Sequence, residues 1–286
     1  MTSSLFTPPV IATELSSIKL ASWNIGHFSY GASSLSSIPT ADAQALSQRF
    51  RTFIDDLGAD TVGICKYSED FDVGGTLKAS SALFGDFPLP SIGPRNSYQW
   101  NAAFYSSRFE ILETLTIPYT TRTQRTYYLA HRVKVDHAYE AWFVQTHWDW
   151  SATAVRLSQA AQLVEAFKDF PRVVISGDFN NTEKLPDGTS HTAWSDLAAF
   201  SEAGYHIALT EEGLTAPDHE PLRTIDNIFA KGFAISDAKA IPGNTHPIFI
   251  CNGVPYGLSD HRAVSCTLTP LSETEVAIPT APPYAF

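Results

Sequence analysis

Cysteine is scarce in this chain: three residues in 286, at Cys65, Cys251 and Cys266. An odd count of widely separated thiols argues against a disulfide framework, and none has the paired spacing of a zinc site. Charge is sparse too, at 17% of residues, and basic charge sparser still. Against 30 Asp and Glu stand only 19 Lys and Arg, a formal net charge of −11. Ordinary solubility accounts for that balance, and it counts against a non-specific nucleic-acid binder, which carries a basic face. It does not exclude a nuclease, because a local basic patch and bound divalent cations offset the repulsion. No apolar run reaches the length of a membrane span. Met1 to Ser17 holds neither a basic n-region nor an apolar h-region, so no signal peptide is expected and the cytoplasm is the default compartment. No internal repeat is visible.

What the chain does have is apolar bulk: 44% hydrophobic residues, with 18 Phe, 11 Tyr and 6 Trp. That supports a sizeable core in one large domain, expected over 17–270, between a loose arm at 1–16 and a Pro-rich tail at 271–286. Ser17 to Trp23 reads as a strand. Leu46, Phe50, Phe53, Ile54 and Leu57 follow helical spacing up to Gly58. Asp60 to Cys65 is the next buried strand, and 71–94 reads as a surface loop. A meander follows over Asn101–Tyr105, Phe109–Ile117, Thr126–Val135 and Ala141–Gln145. An amphipathic helix is expected over Ser151–Phe167, capped by Ser151. Beyond the apolar run Val173–Ile175 come a short helix near Ala193–Phe200 and strands near Thr224–Phe229, Phe233–Ala238 and Arg262–Leu268. Two halves of the form strand–helix–strand–meander predict an α/β fold of two packed sheets with helices outside.

The chemistry collects where strands stop. Val173–Asn180 is a buried run, then a glycine expected to turn the chain, then Asp178 and Asn180 two residues apart. That alternation presents two oxygen-bearing side chains on one side of an extended chain, at a sheet edge where hard cations and phosphates bind. Each such element alone has a turn or capping explanation. Together, however, there are five: Trp23-Asn24, His147-Trp148-Asp149, Asp178-Phe179-Asn180, Asp226-Asn227 and Asp260-His261. An unpaired carboxylate set against a buried strand is costly, which makes the repetition informative.

The words that carry these residues, SGDFN, TIDNIF and LSDHRAV, with SWNIG and QTHWDW, resemble the endonuclease/exonuclease/phosphatase superfamily over roughly Ile18 to Leu268. NAAFYSSRFEIL and Arg156 resemble its bacterial members. The resemblance implies a four-layered α/β sandwich, two packed and mainly antiparallel mixed sheets flanked by helices, as in DNase I. It also implies hydrolysis of phosphoesters, most directly a nuclease-type phosphodiesterase, with Mg²⁺ or Mn²⁺ as cofactor and a phosphorylated substrate, nucleic acid included. A phosphomonoesterase, a lipid phosphodiesterase or a non-catalytic phosphate binder are the alternatives. By resemblance, Asn24 and Asp260 contribute to the metal site and Asp178 orients or activates the attacking water. Asn180 and His261 hold the phosphate, Asp226 fixes the His261 tautomer, and His147 donates to the phosphate or leaving oxygen. Arg95 and Tyr98, in a short echo of a DNA-contacting loop, and Tyr105 and Asp149 are further substrate-binding candidates. Trp23, Trp100, Trp148 and Trp150 are aromatics that could stack on bases.

One position departs from the pattern. The family's second motif ends in a Glu that binds the metal, and Lys66 stands there in Gly63-Ile64-Cys65-Lys66-Tyr67. An ammonium donates hydrogen bonds and repels a cation. Four readings stay open: a substitution that disables the site, a fixed charge standing in for the metal against phosphate, replacement of the ligand by Glu69 or Asp70, or a binding protein without catalysis.

Overall fold

The computed structural model describes residues 15–26, 40–72, 74–95, 100–122, 126–184, 186–187, 189–210, 213–216, 222–243, 249–251, 254–256 and 258–272. Most of the expected arm and tail lie outside these residues, together with Tyr98 and with Phe28 and Tyr30, which the sequence suggests as shaping substrate entry. In chain order the strands begin with β1 (Ile18–Asn24), β2 (Thr61–Cys65), β3 (Leu89–Ile92), β4 (Ala102–Tyr105), β5 (Phe109–Pro118), β6 (Tyr127–Val135), β7 (Tyr139–His147) and β8 (Val173–Asp178). They continue with β9 (Thr182–Lys184), β10 (Ser190–Thr192), β11 (His206–Ile207), β12 (Asp226–Lys231), β13 (Phe233–Ile241), β14 (Phe249–Cys251), β15 (Val254–Tyr256) and β16 (Ala263–Pro270). The helices are α1 (Thr40–Leu57), α2 (Ala79–Ala82), α3 (Thr153–Phe167) and α4 (Ala198–Glu202), the last entered through a 3₁₀ turn at Trp194–Leu197.

Two six-stranded sheets hold the chain, ordered β13-β16-β1-β2-β4-β3 and β11-β12-β8-β7-β6-β5. Each has one parallel pair at its centre, β1 with β2 and β7 with β8, and antiparallel neighbours elsewhere. A parallel pair needs a long crossover, and α1 and α3 supply the two. Phe50, Phe53, Ile54 and Leu57 of α1 pack with Trp23, Val62 and Ile64 on the first sheet. Leu163 and Phe167 of α3 pack with Val173, Ile175 and Phe229 on the second. Between the sheets lie Ile18, Leu20, Val133, Phe143, Val174, Ile228, Val264 and Leu268. The layers are therefore helix, sheet, sheet, helix, as the resemblance implied.

Three local expectations are corrected. The 71–94 stretch is not merely a surface loop: it holds α2 and β3, and Phe71, Leu83 and Phe84 are buried against the α1 face. The apolar residues in this Gly- and Ser-rich segment are spaced irregularly, so no periodicity marks them. Ser151 does not cap α3. Ala152 is the N-cap with no side-chain bond, and the Ser151 hydroxyl donates to Asp149 Oδ1 at 2.5 Å. Gly177 does not turn the chain either. It sits inside β8 with φ +147°, and a Cβ there would lie 1.8 Å from the Thr146 carbonyl oxygen of β7. Glycine is required because the two backbones meet at that point.

Candidate functional site

Side chains alternate across a strand, so parity decides what faces the gap between the sheets. Ile18 and Leu20 of β1 face it, and Ser22 and Asn24 continue that row. On β7 the row is Ala141, Phe143, Gln145, His147; on β8 it is Val174, Ser176, Asp178; on β12, read backwards, it is Ala230, Ile228, Asp226. Each row starts apolar and ends polar at the same edge of the sandwich. The register brings the ends level: His147 is opposite Asp178 and Asp178 opposite Asp226, while Asn24 is opposite Cys65 on the other sheet. This edge is the carboxyl end of both parallel pairs, where α/β sheets place ligand sites.

One step deeper lies a polar seam. Gln145 Nε2 donates to Ser22 Oγ at 3.3 Å and to Cys65 Sγ at 3.1 Å, and the Ser176 hydroxyl donates to Gln145 Oε1 at 2.7 Å. Gly63 leaves the room: a Cβ there would lie 2.0 Å from Gln145 Oε1. The seam ties the first sheet to the second directly beneath the site. It was missed in the sequence reading, although Ser22, Gln145 and Ser176 each stand two residues before a predicted site residue in a strand otherwise apolar on that face. Cys65 is a seam member and no nucleophile, since burial pushes its thiol far up.

At the edge itself, Asp178 is buried and its oxygens are shared out. Oδ1 accepts the Asn180 backbone N–H at 2.9 Å, Oδ2 accepts Asn24 Nδ2 at 2.7 Å, and His147 Nε2 is 3.5 Å from Oδ2. Asn180 is not on an extended chain with Asp178, as the sequence spacing predicted. It adopts φ +47° and closes a tight turn, its side-chain amide donating to the Trp148 carbonyl at 2.9 Å. His261 crosses from the first sheet, with Nδ1 2.8 Å from Asp226 Oδ2 and Nε2 3.3 Å from Asn24 Nδ2. Trp23 Nε1 donates to the His261 carbonyl at 2.9 Å, and the His261 N–H donates to Ser259 Oγ at 3.2 Å, so the ring's backbone is also fixed.

Electrostatics sorts the protons. Burial favours the neutral acid at Asp178, yet the charges of His147, His261 and Lys66 and the Asn180 N–H hold it below the usual carboxylate range. Burial pushes Asp226 up to about 6, against the pull of His261. Burial alone would depress His261, but Asp226, Asp260 and Asp178 raise it to about 9. The net direction is a proton on His261 with Asp226 as its counter-ion.

Not every candidate joins this group. Tyr105 pairs with Thr61, the opposite end of β2 from Lys66 and about 13 Å along the strand from Cys65. It is buried, with its hydroxyl 2.8 Å from His131 Nδ1, and belongs to the core rather than to the site. Asp149 is fully buried and ties its own loop, accepting the Ser151 N–H at 2.9 Å, so it orders the chain after β7 without facing a substrate. Trp23 and Trp148 are fully buried in the helix-facing cores, unavailable for stacking, whereas Trp150 is 64% exposed. Arg95 is exposed, 5.7 Å over the Trp100 ring, and Trp100 in turn accepts the Tyr67 N–H through its carbonyl. Among the described residues Arg95 is thus joined to the β2 exit through Trp100 alone; the rest of its echo, 96–98, lies outside them.

Lys66 follows Cys65 at the end of β2, half-buried with φ +50°. Neither neighbouring acid replaces the missing carboxylate. Glu69 accepts hydrogen bonds from the Tyr67 hydroxyl and from Ser80 Oγ, and Asp70 pairs with Lys78 Nζ at 2.5 Å. Asn24 Oδ1, which accepts the Gly26 N–H at 3.2 Å, and Asp260, whose side chain is 39% exposed, are the remaining oxygen donors beside Lys66. Asp178, Asp226 and His261 also lie close enough to share an ion, with ligand atoms all within 4.8 Å. Yet a cation there would displace the proton that bonds His261 to Asp226. Lys66 thus does not fit the divalent ion that the resemblance implied at its position, and the carboxylate pair that could take one is Asp178 with Asp226.

No protein-family model matches this chain, and none of the curated proteins does. Solved structures do. A humanized D. rerio TDP2 is similar over 88% of this chain and 98% of its own, at 17% identity and TM-score 0.64. An endonuclease/exonuclease/phosphatase family protein from Bacteroides thetaiotaomicron matches over 90% and 98%, at 15% identity and TM-score 0.63. A mannosyl-6-phosphatase of the same organism matches over 88% and 99%, at 15% identity and TM-score 0.61. At such identities the likeness is one of fold: the chain has the DNase I-like fold of the endonuclease/exonuclease/phosphatase proteins.

Proposed function

We propose that the edge cluster is a phosphoester-hydrolysing site of phosphodiesterase type. The observation that carries this reading is the His261–Asp226 pair, at 2.8 Å, directed across the sheet gap toward the Asp178–His147 pair. Phosphoester hydrolysis needs an in-line water, charge on the phosphoryl oxygens, and a proton for the leaving oxygen. Asp178 stays ionised and, with one oxygen fixed by Asn180, directs the water. Protonated His261 holds a phosphoryl oxygen, with its orientation set by Asp226. The second N–H of the Asn180 amide reaches the same group, and His147 donates to the leaving oxygen. A TDP2 of this fold was solved with a single-stranded DNA product and another neighbour is a mannosyl-6-phosphatase, so fold alone does not choose between polynucleotide and small substrate. The exposed Arg95 and Trp150 favour the former, and the net acidity the latter.

A second reading has its own observation, the cation at residue 66: a phosphate-binding protein without turnover. Assay on a panel of phosphodiesters and phosphomonoesters, with Mg²⁺, Mn²⁺ or chelator, separates the two when the chain is compared with Lys66→Glu. Turnover in either form supports hydrolysis. No turnover in both, with phosphate still bound, supports the second reading.

A further inference from the structure

The half-buried ammonium of Lys66 makes no hydrogen bond or ion pair with any described residue, unlike Lys78, Lys168 or Arg156, each of which has a carboxylate partner. Its place is fixed by the backbone. The Ile25 N–H donates to the Cys65 carbonyl at 3.0 Å and the Tyr67 N–H to the Trp100 carbonyl at 2.8 Å, which clamps residue 66 between two strands beside Asn24. Its charge helps to hold Asp178 ionised, yet its three N–H donors are not taken up by any described residue, which leaves them for an anion. At the same edge stand further donors: the second N–H of the Asn180 amide, whose first goes to the Trp148 carbonyl, and the His261 imidazole, bonded on its other nitrogen to Asp226. Asp178 already has its oxygens taken by Asn180, Asn24 and His147. A donor-lined pocket with a fixed positive charge selects a tetrahedral oxyanion rather than a metal ion.

We propose that Lys66 is a phosphate-binding residue that supplies the charge of a divalent ion, so that this site takes a phosphoryl group without any metal. The inference rests on the reading of the cluster as a phosphoryl site and adds to it the independence from divalent cations. A lysine bonds phosphate as a point charge with three donors, which suits an occupant that sits where an ion would bridge Asn24 and Asp260. Asp260, partly exposed, and the ionised Asp178 are like-charged groups such an occupant would meet, and His261 stands 3.9 Å from the first and 3.8 Å from the second as a counter-charge.

Calorimetric titration with inorganic phosphate in chelator tests this, using the chain, Lys66→Met and Lys66→Glu. Met keeps the length and unbranched stem, so the left-handed backbone at φ +50° costs the two residues about the same. Thermal melts confirm folding of each variant. The chain is expected to bind phosphate in chelator, Lys66→Met at least ~10-fold more weakly, the scale of one charge-assisted bond. Lys66→Glu is expected to lose binding in chelator and regain it with Mn²⁺. Equal affinity in the chain and Lys66→Met overturns the proposal. So does a chain that binds phosphate only when Mn²⁺ is added, a result that leaves the phosphoryl-site reading standing. Absence of binding in all three proteins, with and without Mn²⁺, overturns both.

Discussion

The two sheets end differently at the site. The second contributes His147, Asp178, Asn180 and Asp226, where the carboxylates are buried and both Asp178 oxygens and Asp226 Oδ2 are shared among Asn180, Asn24, His147 and His261, while Asp226 Oδ1 is buried without a hydrogen-bond partner among the described residues. The first contributes Asn24, Lys66, Asp260 and His261, where the ammonium has no hydrogen bond or ion pair among the described residues and Asp260 is partly exposed. A region whose charged groups are buried and bonded mainly to one another is organised before any ligand arrives, and most of its energetic cost is met by folding. A region left with unpaired charge is complete only with an occupant. The first sheet's edge is thus where the ligand is chosen, and the second's is where the proton chemistry is held in place.

That contrast breaks most severely at the dyad. In whichever form turns over, His261→Ala and Asp226→Ala are each expected to cost about 10²–10⁴-fold in kcat, the usual span for a proton-handling group. Because Asp226 acts through His261, the double variant is expected to lose little more than either single one. Steady-state kinetics of the three variants measures this, and additive losses would mean that the two residues act separately.

Much of this was legible in sequence for a physical reason. Residues at strand ends must be either turn formers or functional groups, and five polar strand ends at one edge exceed what turns require. The helix-on-sheet layers were likewise readable, from Leu46–Leu57 and Val155–Phe167 at helical spacing. What escaped was set by contacts between sheets. Tyr105 looked like a site residue by its place in a motif, yet the antiparallel register of β4 on β2 carries it to the far end. Asn180 looked extended because nothing local reveals φ +47°. The Gln145 seam depends on Ser22 and Cys65, distant in sequence and adjacent only once the sheets stack.

The seam gives the next largest effect. Gly63→Ala would place a methyl 2.0 Å from Gln145 Oε1 and push the amide off Ser22, Cys65 and Ser176. Overpacking of this kind costs about 1–3 kcal/mol, read as a lower urea midpoint at unchanged m-value. If the two edges are independent instead, Gly63→Ala would leave phosphate affinity untouched once stability is allowed for.

Lys66→Glu is expected to raise Mn²⁺ affinity by about tenfold or more, since it replaces a repelling charge with a ligand beside Asn24 and Asp260. Calorimetry with Mn²⁺ checks it, and equal affinity in both forms would place Lys66 outside any ion position.

The smallest effect is on stability against pH. His261 is raised from 6.5 to about 9, so its contribution is complete below about pH 6.5 and is lost as pH rises to about 9. Asp226, raised from 3.8 to about 6, removes stability over that lower interval, whereas Asp178, lowered from 3.8, adds stability that disappears only in stronger acid. Urea unfolding is therefore expected to show a decline from pH 6.5 to 9 that flattens in His261→Gln. An unchanged slope would detach that decline from the dyad.

Two sheets converging on one phosphoryl group can be seen in histidine NMR of the unmodified chain under inorganic phosphate. His147 and His261 lie on the two sides of the proposed position. His131 is an internal control, buried between the sheets and bonded to Tyr105 and Ser91. Phosphate is expected to shift the ring resonances of His147 and His261 together, along one saturation curve, and to leave His131 unmoved. Phosphate that moves His131 or the exposed His137 as much, or that leaves His147 and His261 still, would contradict it.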